Sequence, residues 1–83
     1  MKNQKNIQKA PLTDMEQKAL DCMIPCCDQA LFAKEIVKEV SIDLKCSINQ
    51  AKGYIGSLCN KGYVQADKYR DNNIGLVEQF SIL

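Results

Sequence analysis

The sequence contains no histidine. That single absence removes the commonest general base, the usual partner of a catalytic cysteine and the commonest metal ligand. There is also no glycine-rich phosphate loop and no pair of carboxylates spaced for a shared cleft. No catalytic residue is assigned, and the protein is not expected to be an enzyme. Charge of one sign is lacking too: 11 Lys and Arg stand against 10 Asp and Glu, for a net charge of +1. This excludes the strongly electrostatic binding of an Arg-rich or Lys-rich peptide. No apolar run approaches the ~20 residues that a membrane span requires. The first residues, MKNQKNIQKA, carry no apolar signal-peptide core. The expectation is a soluble, cytoplasmic chain with no membrane partner.

Cysteine is plentiful by comparison, at positions 22, 26, 27, 46 and 59. An odd count with scattered spacing speaks against a disulfide framework. Zinc sites pair C-x-x-C with a second such pair or with histidines. Cys22-x-x-x-Cys26-Cys27 followed by two isolated cysteines matches neither. The cysteines are read as small core hydrophobes, with no metal and no cofactor.

What is present is 83 residues, 46% hydrophobic and 25% charged. A chain this short makes one small domain and must bury most of its apolar positions. The charges are unevenly placed. Residues 1–10 carry three lysines and no acid, residues 11–30 carry four acids against Lys18, and residues 46–63 carry only Lys52 and Lys61. Residues 1–10 show no periodicity and are expected to form a disordered basic tail, with the folded domain at 11–83.

Helical periodicity begins after Thr13, where Thr13-Asp14-Met15-Glu16 fits a capping box. Met15, Ala19, Leu20, Met23 and Ile24 follow at helical spacing, and Pro25 is expected to end this helix. Residues 26–30 read as a connector, with a very short strand near 29–31. A second amphipathic helix is predicted over 31–41, with Phe32, Ile36 and Val40 on one stripe. Residues 42–46 turn the chain. Ser47-Ile48-Asn49-Gln50 is another capping box and opens a third helix ending near Asn60 or Lys61, with Gly62 at its left-handed C′ position. A wheel places Ile48, Ala51, Ile55, Leu58 and Cys59 inward, with Tyr54 at the border. Asn49, Gly53, Gly56, Ser57 and Asn60 lie outward. Each glycine inside a helix costs ~1 kcal/mol relative to alanine, so two on one open face call for a close neighbour or a strained helix. From Tyr63 the period changes to two. Residues 63–69 and 76–82 read as strands around a turn at 70–75. Pairing Val64 with Ile82 sets Ala66 against Phe80 and Lys68 against Glu78, apolar on apolar and cation on anion.

The order helix, helix, helix, hairpin is an α+β fold, mostly α. The run Ile55-x-x-Leu58-Cys59-Asn60-Lys61-Gly62-Tyr63-Val64 resembles the end of the recognition helix and the first wing strand of winged helix-turn-helix DNA-binding domains of the small bacterial or phage regulator type. LTDMEQKAL is similar to helix 1 of those domains. The resemblance covers about residues 11–83 and identifies a superfamily, not a member of it. It implies a small transcriptional regulator or accessory factor that binds double-stranded DNA, with the third helix in the major groove and the wing on the backbone. It implies contacts from Ser47, Asn49, Gln50, Lys52, Gly53 and Ser57 on the helix and from Lys68 and Arg70 on the wing. Lys45 is a further phosphate candidate. Asn49 and Gln50 suit adenine, and Ser47 at a helix N-terminus suits a phosphate. With so few cations, and with Asp67 and Asp71 interleaved on the wing, binding should be weak and salt-sensitive. A homodimer would strengthen it, formed through helix 1, the C-terminal strand or the small face of helix 3. The competing expectation is a protein-interaction module without base readout, using that small-residue face.

Overall fold

The computed structural model describes residues 10–83. The expected basic tail falls almost wholly outside the described residues. The element order is α1 (Asp14–Asp28), α2 (Ala33–Leu44), α3 (Ile48–Asn60), β1 (Val64–Asp71) and β2 (Gly75–Ile82). This is the α+β, mostly helical layout of three helices followed by a two-stranded wing. Among the described residues, no helix is long and apolar enough to cross a membrane.

Both anticipated capping boxes form. Glu16 N donates to Thr13 Oγ1 at 3.2 Å and Thr13 N donates to Glu16 Oε1 at 2.9 Å. Gln50 N donates to Ser47 Oγ at 3.1 Å and Ser47 N donates to Gln50 Oε1 at 3.0 Å. Helix α2 has half of the same device, with Phe32 N donating to Glu35 Oε1 at 3.1 Å. Each bond satisfies a main-chain group that a helix end would otherwise leave without a partner.

Helix α1 does not stop at Pro25; it runs on to Asp28. A proline so near the end withholds an N–H from one carbonyl only, that of Asp21. Carrying the helix past Pro25 places Cys26 in the core. The chain then turns through Ala30, at φ 57°. Helix α2 is correspondingly later than expected. Phe32 is extended and caps it, and it continues through Ile42 and Asp43 to Leu44. The expected turn at 42–46 therefore shrinks to residues 45–47, with Lys45 in the left-handed region at φ 55°. The expected short strand near 29–31 is a single bridge from Phe32 to Gln79.

Helix α3 ends where the period changes, and Gly62 takes φ 88° just beyond it. A side chain is disfavoured at that angle, so glycine there lets the chain leave the helix directly into β1. The hairpin pairs Val64 with Ile82, Ala66 with Phe80, Lys68 with Glu78 and Arg70 with Leu76. That is the register predicted from the alternation. Gly75 closes the ladder opposite Asp71 without shifting it.

The core gathers one stripe from every helix: Leu20 and Met23 from α1, Ile36 and Val40 from α2, Ile55 and Leu58 from α3, closed by Val64 of β1. Ile48 is not part of it, at 43% exposure. It sits on the inward side of the wheel but in the first turn of α3, beside Ala33 and Val37 at the edge of a shallow depression. Cys59 and Tyr54 are half-buried at the core's margin.

Candidate nucleic-acid interface

The residues singled out on α3 separate into two groups. Lys45, Ser47, Asn49, Gln50, Lys52 and Gly53 are exposed around the first two turns. Lys45 occupies a backbone conformation that costs a non-glycine residue ~1 kcal/mol or more, yet it carries a cation immediately before the helix N-terminus. Gly53 and Gly56 both have open space where a Cβ would lie, so nothing among the described residues requires glycine at either position.

Ser57 belongs elsewhere. It is half-buried and its hydroxyl donates to Glu16 Oε2, across to α1. Lys61 Nζ reaches the same carboxylate at 2.6 Å and also donates to the Pro11 carbonyl at 3.1 Å. Tyr63 adds a bond from its hydroxyl to the Ala10 carbonyl at 2.7 Å. Glu16 is thus both the cap of α1 and the centre of a clasp that ties the start of α1 to the end of α3. Sequence reasoning saw only the local half of its role.

Hydrogen bonds from Lys61, Ser57 and the Thr13 amide hold the Glu16 carboxyl down at about 2, below its ordinary 4.5. A lowered folded-state value means the clasp contributes fully above pH 4.5 and loses its contribution as pH falls toward 2. The stability difference between the wild type and Glu16→Gln should therefore shrink steadily across that window. Urea titrations at stepped pH measure it; a difference that stays constant from neutral pH down through the window contradicts the clasp.

On the hairpin, Lys68 and Arg70 are exposed. Alternation puts them on the same face as Ala66. Ala66 and Phe80 line a depression of about 420 Å³ with Lys52, Ile55, Gly56 and Cys59, so this face of the wing looks back toward α3. The acids expected to interleave with the cations are turned to the opposite face by the same alternation, and both are occupied. Asp67 accepts from Gln65 Nε2 at 2.8 Å and from Ser81 Oγ at 3.3 Å. Asp71 accepts from the Asn73 and Ile74 amides at 2.8 and 3.0 Å, closing the turn. Glu78 is the acid that shares the cationic face. Lys61–Glu16 is the one ion pair among the described residues, which leaves Lys45, Lys52, Lys68 and Arg70 without an acidic partner there.

Four of the five thiols are held toward the protonated form. Burial pushes Cys22 up to about 11, helped by Cys26, Asp43 and Glu39 nearby. Burial likewise raises Cys26, Cys27 and Cys59. Protonated thiols are poor nucleophiles. Among the described residues, no group of three or more Cys, Asp or Glu is placed to hold a metal ion.

No family model matches this chain, and neither do the curated proteins or the solved structures.

Proposed function

We propose that the protein binds duplex DNA as a small transcriptional regulator or accessory factor, with α3 in the major groove and the wing on the backbone. The observation that carries this reading is a group of four cations that form no ion pair among the described residues, with Glu78, across the ladder from Lys68, the one acid of the hairpin on their face. Lys45 and Lys52 flank the open first turns of α3, Lys68 and Arg70 stand on the wing face turned toward it, and the wing's aspartates point away and are already bonded. Asn49 lies between them, free to meet a base edge. The test is a mobility shift on random duplex and its repeat with Asn49→Ala/Gln50→Ala. The wild type should shift at low salt, and the double variant should bind at least tenfold more weakly to a selected site. No shift at low salt rejects the proposal.

A second reading, a protein-interaction module without base readout, is favoured by one observation. Gly53 and Gly56 are open on α3 with no reason among the described residues to be glycine. A partner helix packed across them would supply one. Under that reading a bulky residue at Gly56 removes partner binding and leaves any DNA affinity intact.

A further inference from the structure

Two surfaces, one with cations on the hairpin and one with acids between α1 and α2, each carry an apolar feature. On the first, the hairpin tip exposes Ile74 at 61% and Leu76 at 70%, the latter directly across from Arg70. On the second, α1 and α2 enclose a groove of about 610 Å³. Cys22, Cys26 and Ile42 contribute its apolar lining, and Asp21, Glu39 and Asp43 its acidic part. Ile42 is itself 61% exposed. The groove falls within the roughly 300–1,000 Å³ of pockets that enclose whole small ligands, ample for two branched aliphatic side chains.

We propose that the protein self-associates head to tail, the hairpin tip of one copy seated in the α1–α2 groove of the next. Two complementarities support this occupant. Leu76 and Ile74 are the most exposed aliphatics of the wing, and the groove offers thiols and Ile42 to cover them. Arg70 and Lys68, on the shaft behind the tip, meet Asp21, Glu39 and Asp43. The groove and the depression beneath the tip share no lining residue, so the two surfaces are separate on one chain. Contact between two different surfaces does not close on itself after two copies; it grows into a ring or a filament.

Sedimentation equilibrium from micromolar to millimolar concentration, without DNA, tests this. Wild-type mass should rise continuously from the 9.3 kDa of one chain. Leu76→Asp spoils the tip and Ile42→Asp spoils the groove; both positions are exposed, and circular dichroism confirms that each variant folds. Each variant alone should stay at single-chain mass. Mixed in equal amounts, they retain one good tip and one good groove between them, and should form a dimer that grows no further. A wild type that stays at single-chain mass throughout overturns the proposal. So does a variant that assembles normally, or a mixture that fails to pair.

Discussion

On the proposed DNA reading, raising salt from about 50 to about 200 mM lowers duplex affinity roughly 100-fold. Four cations that form no ion pair among the described residues, Lys45, Lys52, Lys68 and Arg70, set this figure. Each neutralised phosphate releases about 0.9 of a counterion, so four give a log–log slope near about −3.6 over a roughly fourfold change in salt. Lys61 is left out of the count because Glu16 already holds it. Fluorescence anisotropy of a labelled duplex across the salt series measures the slope directly. Lys68→Ala should flatten it by about one unit for all sequences alike, whereas Lys61→Ala should leave it unchanged. A slope near zero for the wild type would remove the electrostatic basis of the reading.

Leu58→Ala should destabilise the fold by about 2–5 kcal/mol, through lost burial and the cavity left behind. Leu58 is fully buried at the meeting of α3 with the core. Domains of this size hold only about 5–10 kcal/mol in total, so one substitution removes a large part of it. With a urea slope of about 1 kcal/mol per molar, the midpoint falls by at least about 2 M, read by circular dichroism. Gly56→Ala, two residues earlier on the same helix, should move the midpoint the other way. Nothing lies within 4 Å of the added Cβ, and alanine in a helix interior is worth about 1 kcal/mol over glycine. A Gly56→Ala protein that is more stable yet binds DNA more weakly would identify that glycine as a point of close approach.

The parts of the fold governed by neighbouring residues were legible in the sequence. The alternation from Tyr63 onward carried the hairpin register to the residue, because a slip by one would have turned Val64 and Phe80 away from the helices. The capping boxes at Thr13 and Ser47 were equally plain, being bonds across three residues. The end of α1 was not. The penalty for Pro25 is local and visible, but the offsetting burial of Cys26 depends on α2 packing nearby. Ile48 failed for a related reason: a helical wheel knows the angle of a side chain but not how far along the helix the core extends. In the candidate site, the exposed cations and Asn49 could be named from position alone. Ser57 could not be placed, because its partner lies 41 residues away in the chain. Nor did the sequence reveal that the wing's aspartates would be occupied by turn amides and by Gln65 and Ser81.

One capping bond also bears on which bases this protein would prefer. The amide oxygen of Gln50 is turned inward onto the Ser47 N–H. Its outward end is therefore the NH₂ group, a donor. The pairing of glutamine with adenine needs donor and acceptor side by side, and here the acceptor is engaged. In a major groove, Gln50 would favour acceptor-rich edges, the O6 and N7 of guanine, and leave adenine to Asn49. The cap that starts the helix thus biases Gln50 toward donating, while the amide of Asn49 keeps both a donor and an acceptor to offer, and a selected binding site should show it as guanine beside adenine.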